Sequence, residues 1–291
     1  RLVPSASNLN PAHFDMEEKS PGIHDVICIA SGKGGVGKTA VAANLATALA
    51  MRGRKVMLFD GDLGLANAQL ALGCPSPFNF SHVMNGEKPL HEIIITTPHG
   101  VRLVPGGSGI RDLASLSINA AAEIVRSFST LEEELDYLII DAAAGISDSV
   151  MTFMQAAQRQ FVVLRDEPSS IADAYGIIKV LSFESDLKQT YVIPNMVESQ
   201  SAGSTLYRHL SDVCVRFLGQ PLNYLGSITF DEHVTTALRE YQTVLDHAPG
   251  GNAARDFKAL ATAVEALPAV TAQHSGIRFF FERFMHHARQ T

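Results

Sequence analysis

The stretch "IASGKGGVGKTAVAANLATALA", residues 29–50, decides how the rest of the chain is interpreted. It matches the phosphate-binding P-loop pattern G-x-x-x-x-G-K-[ST], because Gly32 is followed after four residues by Gly37, Lys38 and Thr39. An apolar run precedes the loop, and small and apolar residues at helical spacing follow it. The loop therefore turns the chain between a strand and a helix, where its backbone N–H groups point at an anion.

This loop predicts a nucleotide site in which the residues have separate tasks. We expect Lys38 to contact the β- and γ-phosphates and the Thr39 hydroxyl to ligate Mg²⁺. The nucleotide-binding residues expected in the loop are Gly32, Gly34, Gly35, Val36, Gly37, Lys38, Thr39 and Ala40. The loop also contains a second lysine, Lys33, which the P-loop pattern does not require.

Composition excludes several other classes of protein. The formal net charge of −7 argues against a protein that coats nucleic acid, so direct DNA binding is not expected. The three cysteines, Cys28, Cys74 and Cys214, lie far apart without a C-x-x-C pair, which argues against a disulfide framework, a zinc site or a bridged iron–sulfur cluster. With no transmembrane run and no signal peptide in the sequence, we predict a cytoplasmic protein.

Strand-like and helix-like segments alternate along most of the chain. Near-continuous apolar strands alternating with helices predict an α/β fold, in which helices cover both faces of a mostly parallel sheet. The predicted strands are 25–30, 55–60, 101–104, 137–141, 160–164 and 191–195, and the helix that follows the loop runs over 38–51. We expect a single P-loop domain over 25–270, preceded by a flexible polar arm over 1–24.

Three carboxylates stand at the ends of predicted strands. Ligands of parallel sheets bind beyond the carboxyl ends of the strands, so Asp60, Asp62 and Asp141 are expected in the crevice of the P-loop. One acid of the Asp60–Asp62 pair would belong to the metal shell and the other would face the attacking water. Asp141 fits a strand that positions Mg²⁺, or alternatively an N-cap of the next helix. The backbone N–H of Gly145 is expected at the γ-phosphate.

The loop GKGGVGKT, residues 32–39, resembles the deviant Walker A motif of the MinD/ParA class of dimerising ATPases. The later stretches that resemble the flagellar-number regulators of this class, called FlhG or FleN, are DGDLGLAN (60–67), VRLVPGGSG (101–109), DAAAGISDSV (141–150) and DEPSSIADAYGIIKVL (166–181). The resemblance covers residues 25–290. It implies a P-loop ATPase that hydrolyses ATP to ADP and phosphate slowly, with Mg²⁺.

The resemblance also implies a role for the extra lysine. In this class it reaches across a dimer interface to the partner's nucleotide, so Lys33 would act in trans and the ATP-bound chain would be a homodimer. A cation donated in trans neutralises charge on the phosphates, as an arginine finger does. Asp62 matches the residue that orients the attacking water. The implied catalytic residues are Lys33, Lys38 and Asp62, and the implied metal-shell residues are Thr39, Asp60 and Asp141.

The base-binding side of the site rests on weaker signals. Asn195 stands where the class places an asparagine against the adenine base, although a turn residue is the alternative interpretation. Residues 195–198 read NMVE rather than N-K-x-D, so the carboxylate that reads guanine is missing and ATP is expected. The segment 226–231 resembles the base-covering loop of the class, with Thr229 where the family usually has proline.

The C-terminal segment 276–291 has the pattern of an amphipathic helix. Its apolar face would consist of Ile277, Phe280, Phe281, Phe284, Met285 and Ala288, and its cationic remainder of Arg278, Arg283, His286, His287 and Arg289. Such a helix suits an anionic membrane surface, which would place the protein at the inner face of the cell membrane, at a pole. The alternative is a helix that docks permanently on the core.

The function expected from these features is an ATP-dependent switch between a monomer and a homodimer. By its resemblance, it would regulate flagellar number or placement by binding and restraining the flagellar transcription activator. One alternative within the class is a MinD-like division-site or ParA-like partition ATPase. The other is a binding module that uses nucleotide as a structural ligand with negligible hydrolysis, against which Lys33 and Asp62 both argue.

Overall fold

The computed structural model describes residues 25–62, 68–107, 135–184 and 187–269, and a nine-stranded sheet organises them. The strands are β1 Asp25–Ser31, β2 Val56–Gly61, β3 Ile95–Thr96, β4 Arg102–Val104, β5 Tyr137–Ala144, β6 Arg159–Leu164, β7 Thr190–Val197, β8 Asn223–Tyr224 and β9 Ile228–Thr229. Their order is β3-β4-β2-β5-β1-β6-β7-β8, and β9 also pairs with β7. Among the described strands only β3 and β4 pair antiparallel, which confirms the predicted mostly parallel sheet.

Helices cover both faces of this sheet. They are α1 Lys38–Met51, α2 Ala68–Ala71, α3 Phe80–Met84, α4 Leu90–Ile93, α5 Asp148–Ala156, α6 Pro168–Glu184, α7 Gln200–Leu218, α8 Glu232–Arg239, α9 Val244–His247 and α10 Asn252–Glu265, with a 3₁₀ turn at Leu187–Gln189. Alternate residues of β1 point to opposite faces: Cys28 joins the cluster formed with α5, α6 and α7, whereas Ile27 and Ile29 join the cluster formed with α1 and α10. The central strands are therefore buried on both sides, as their continuous apolar runs predict.

The structure corrects the sequence prediction at the short and distal strands. The two-residue strands β3, β8 and β9 were not predicted, because so short a segment has no readable alternation of polar and apolar residues. Strand β7 runs to Val197, so Asn195 lies inside the strand rather than at its end, and its interpretation as a turn residue is wrong. Helix α1 spans 38–51, as predicted.

A buried arginine anchors the last described segment at the amino-terminal ends of the central parallel strands, whereas the P-loop follows the carboxyl end of β1. Arg159, the first residue of β6, donates from Nε to Oδ1 of Asp25 at 2.7 Å and from Nη2 to the carbonyl oxygen of Pro268 at 2.5 Å. The predicted arm 1–24 and the predicted amphipathic helix 276–291 lie outside the described residues. Within the described residues, no helix is long and apolar enough to cross a membrane.

Candidate functional site

The predicted P-loop connects the central strand β1 to helix α1. A Cβ atom on Gly32 would lie 2.3 Å from the carbonyl carbon of Asp173, so this glycine lets the loop pack directly on α6. Gly35 and Gly37 have φ angles of +80° and +84°, in the left-handed region that favours glycine. Gly37 is the N-cap residue of α1, so the loop's backbone N–H groups lie at a helix N-terminus, as an anion site requires.

Lys38 and Asp141 form a buried ion pair at the base of the loop. The Lys38 Nζ atom donates to Oδ1 of Asp141, and the two side chains are almost completely buried. The second carboxylate oxygen, Oδ2, is also buried and has no hydrogen-bond partner in the described structure. The N-cap alternative for Asp141 is wrong, because β5 continues to Ala144 and α5 has Ser147 at its N-cap position.

Asp60 is the second buried carboxylate of the site. The pairing of β2 with β5 places Asp60 directly opposite Asp141, and Asp60 is completely buried. Its Oδ1 and Oδ2 atoms accept hydrogen bonds from the backbone N–H groups of Asp62 at 3.1 Å and Ala68 at 3.2 Å. Burial, and then the charge of Asp141, raise the pKa of Asp60 to about 7.

The segment that follows β4 also packs against Asp60, although no role was predicted for it. A Cβ on Gly106 would lie 2.4 Å from the carbonyl oxygen of Asp60, so only a glycine allows the chain after β4 to approach so closely. The run PGG at residues 105–107 is the feature of the sequence that could have indicated this approach. Gly106 therefore contributes to the shape of the site without supplying a side chain.

These carboxylates fit a bound Mg²⁺ ion. Asp141 has a buried oxygen without a donor, and Asp60 has an ionised form that is penalised by burial and by its neighbour; a cation relieves both penalties. The half-buried Thr39 lies in the first turn of α1. No group of three or more His, Cys, Asp or Glu residues that could hold a metal occurs in the described ranges. Thr39, Asp60 and Asp141 stay the residues predicted to hold Mg²⁺ together with phosphate and water oxygens, the ligands this ion prefers.

The structure brings Asp62 and Gly145 to the same crevice. Asp62 is half-buried directly after β2, and its backbone N–H is tied to Asp60. Gly145, with a φ angle of +100°, donates its N–H to the carbonyl oxygen of Ser31 at 2.8 Å. The amide assigned to the γ-phosphate is thus engaged by the end of β1 here. The roles of both residues stay predictions.

The extra lysine of the loop is held within its own chain. The Nζ atom of Lys33 donates to Oγ of Ser169 at 2.9 Å and lies 3.5 Å from Oε2 of Glu167. The other oxygen of Glu167 pairs with Arg165 at 3.3 Å. The Lys33 side chain is 43% exposed, so its ion pair is screened by solvent and weak. The contact of Lys33 with Ser169 and Glu167 was not predicted, because no residue of the stretch 166–181 has a recognisable partner in the sequence pattern.

Asn195 contacts the P-loop backbone. Its Nδ2 atom donates to the carbonyl oxygen of Val36 at 2.7 Å, and the side chain is 4% exposed. Asn195 also pairs with Ile228 of β9, so the segment 226–231 lies beside it. The adenine contact of Asn195 stays a prediction, but its place next to the loop and to the predicted base-covering segment agrees with that role.

Comparison with known proteins identifies relatives of the whole domain. A family model described as "ParA: NUBPL iron-transfer P-loop NTPase" matches residues 22–265. The chain is 41% identical over 262 residues to the antiactivator FleN of Pseudomonas aeruginosa, covering 90% of this chain and 94% of FleN. It is 34% identical over 266 residues to the flagellum site-determining protein YlxH of Helicobacter pylori, covering 89% of each.

A solved structure supports the same relationship. The septum site-determining protein MinD of Pyrococcus horikoshii OT3, complexed with Mg-ADP, matches with a TM-score of 0.65 and 26% sequence identity, over 83% of this chain and 96% of that one. The match covers almost the whole MinD chain, so the likeness extends beyond the loop to the sheet and its flanking helices. It confirms the fold class that the alternation of strands and helices predicts.

Proposed function

The chain belongs to the ParA and MinD family of P-loop NTPases, and from that premise we propose that it is an ATP-dependent dimerising switch that regulates flagellar number or placement. Its reaction is the slow hydrolysis of ATP to ADP and phosphate. The observation that carries this proposal is the buried constellation of Lys38, Asp60 and Asp141 beneath the P-loop. A purely structural loop has no need to bury two acids opposite each other, since the cost of desolvating them is high.

In the proposed reaction, each of these residues has a definite task. The Lys38 ammonium group exchanges its ion pair with Asp141 for contacts with the β- and γ-phosphates. There it stabilises the negative charge that develops during the reaction. When bound, Mg²⁺ supplies further neutralisation of the phosphate oxygens. Asp62 orients the attacking water and accepts its proton, which is the task of a general base. The P-loop amides hold the phosphates in place, and positioning is a large part of phosphoryl-transfer catalysis.

Dimerisation would depend on ATP because Lys33 has two alternative partners. In the monomer its ammonium group binds Ser169 and Glu167 on the same chain. An ATP molecule in a partner subunit offers phosphate oxygens of higher charge, with which a lysine makes strong charge-assisted hydrogen bonds. We propose that Lys33 leaves its own chain and contacts the partner's nucleotide, so that the γ-phosphate favours the dimer. The weakness of the exposed pair with Glu167 keeps the cost of release small.

The proposed output follows from the relatives. FleN is an antiactivator and YlxH a flagellum site-determining protein, and each matches about nine-tenths of this chain. We therefore propose that the ATP-bound dimer binds and restrains the transcription activator of flagellar genes. The formal net charge of −7 disfavours direct DNA binding, so the regulator would act on the activator protein itself.

The amphipathic segment 276–291 would bring the switch to the inner face of the cell membrane. Arg159 anchors the described chain at Pro268, close to where this segment begins in the sequence. Its apolar face and its arginines supply the two contributions that interfacial helices need.

A pull-down with an ATP-locked variant tests the proposed output. The Asp62→Ala variant should hydrolyse ATP about 10²–10⁴-fold more slowly and accumulate as a dimer. With ATP it should capture the flagellar transcription activator from a lysate. The Lys33→Ala variant, which is expected to bind ATP as a monomer, should not. Capture of a septum inhibitor would instead support a division-site function. Equal recovery of the activator by both variants would contradict a role for the dimer.

A further inference from the structure

Met196 adopts a backbone conformation that side chains rarely occupy. Its φ angle is +56°, and among the described non-glycine residues only Tyr241 also has a positive φ, of +57°. Met196 lies in β7 between Asn195 and Val197, which both pair with β9, and the register of that pairing shifts between them. Met196 is therefore the extra residue of a bulge, and bulges re-aim side chains next to functional sites.

The bulge brings two consecutive side chains of β7 to the same place. In a regular strand, successive side chains point to opposite faces of the sheet. Here a Cβ on Gly37 would lie 2.4 Å from Nδ2 of Asn195 and 3.1 Å from Cε of Met196, so both side chains reach this glycine. Asn195 also donates to the carbonyl oxygen of Val36. Two neighbouring side chains of β7 thus hold two neighbouring residues of the P-loop.

The middle of the P-loop has open space beside it. Cβ atoms on Gly34 and Gly35 would meet no other atom within 4 Å, whereas Gly37 lies against Asn195 and Met196. Gly37 is the N-cap residue of α1 and directly precedes Lys38. A displacement of Gly37 would therefore move both the amides at the helix N-terminus and the lysine that faces the phosphates.

We propose that Met196 is a positioning residue for nucleotide binding, whose thioether packs against Gly37 and holds the P-loop in its phosphate-binding shape. A loop that is already in the bound conformation loses less entropy when the nucleotide arrives, and so binds more tightly. The left-handed backbone of Met196 is the cost of this arrangement, and strained residues of this kind persist where the surrounding structure maintains them. The inference rests on the nucleotide binding proposed above.

Substitution of Met196 by glycine and by leucine tests this role. Glycine removes the thioether and adopts the left-handed conformation without strain, so Met196→Gly should keep a thermal midpoint close to that of the parent when no nucleotide is present. The same variant should bind a fluorescent ATP analogue with Mg²⁺ about tenfold more weakly, because the loop is no longer held. Met196→Leu, which restores an apolar side chain of similar volume, should recover most of the affinity.

Two controls separate this role from strain and from the proposed function. Tyr241→Gly relieves the same left-handed strain at a residue whose carbonyl oxygen packs on Gly73 instead, so its affinity for the analogue should equal that of the parent. Lys38→Ala marks complete loss of binding. If Met196→Gly binds like the parent while Lys38→Ala does not bind, the inference alone is overturned. Equal weakening by Tyr241→Gly also overturns it, and a parent that does not bind the analogue overturns the proposed function as well.

Discussion

Asp60 and Asp141 stand directly opposite each other on the neighbouring parallel strands β2 and β5, and both are buried. Lys38 neutralises one of them through Oδ1 of Asp141. The Asp60 carboxylate accepts hydrogen bonds from two backbone N–H groups, those of Asp62 and Ala68, and burial together with the charge of Asp141 raises its pKa to about 7. We therefore expect the stability of the nucleotide-free protein to depend on the protonation of Asp60.

The stability of the nucleotide-free protein should fall as the pH rises from about 4 to about 7. The pKa of Asp60 is higher in the folded state than its ordinary value of 3.8, so the folded state binds this proton more tightly than the unfolded state does. The resulting stabilisation is complete below about pH 4 and is lost as the pH passes about 7, at about 1.4 kcal/mol for each unit of pKa difference. Urea unfolding across this range measures it.

Asp60→Asn is the matched variant for that measurement, because it keeps the shape and removes the titration. The difference in unfolding free energy between variant and parent should grow in favour of the variant as the pH rises. Groups remote from Asp60 that titrate in the same range contribute equally to both proteins and cancel in this difference. A difference that stays constant from about pH 4 to about pH 7 would contradict the assigned state of Asp60.

Lys38→Ala should abolish ATP binding and also destabilise the nucleotide-free protein. It removes the central cation of the loop and leaves Asp141 buried without its ionic partner, a loss that typically costs about 3–5 kcal/mol. The double variant Lys38→Met/Asp141→Asn should recover most of that stability, since no charge is then left unpaired, yet it should still not bind ATP. Chemical unfolding and titration with a fluorescent ATP analogue separate the two effects. ATP binding by the double variant would refute the role of Lys38.

Weakening the contacts that hold Lys33 within its own chain should favour the ATP-bound dimer. Ser169→Ala and Glu167→Gln each remove one partner of the ammonium group, and an exposed pair is worth about 0.2–1 kcal/mol, so dimerisation should strengthen by up to about fivefold. Analytical ultracentrifugation with ATP measures the dimer constant. Glu92→Gln is the control, because Glu92 forms a comparable exposed ion pair with Lys88 and does not contact Lys33. Dimers of the Lys33→Ala variant with ATP would disprove the proposed role of Lys33.

Removal of residues 276–291 should abolish ATP-dependent sedimentation with anionic liposomes and leave ATP binding unchanged. The P-loop, its carboxylates and Asn195 all lie upstream, whereas the segment supplies the apolar face and arginines that contribute roughly 1 kcal/mol each near anionic lipid. Phe281→Glu, which places a charge in the middle of the apolar face, should do nearly as much damage. Gln290→Glu, which lies off that face, is its matched control. Undiminished sedimentation of the truncated chain would show that the segment belongs to the core.

Much of the fold and site could be predicted because their signals are local. The P-loop pattern lies between an apolar strand and a helix within 25–51, and the central strands are read from their continuous apolar runs. In a parallel sheet, Asp60 and Asp141 then lie together at the carboxyl ends of their strands, and the pairing of β2 with β5 confirms this position. The two-residue strands and the close approach of Gly106 to Asp60 could not be predicted, because they depend on contacts between distant segments.

The sequence by itself determined the fold class, the loop and its carboxylates. Each of these is indicated by a pattern of residues within one strand, one helix or the loop between them, and such local patterns follow from backbone geometry. Only the tertiary structure decided which side chains form hydrogen bonds, ion pairs and packing contacts with one another. It pairs Lys38 with Asp141, holds Lys33 on Ser169, and directs Asn195 and Met196 at the same glycine of the loop. These contacts join residues far apart in the chain, and burial and sheet register, rather than local pattern, bring them within reach.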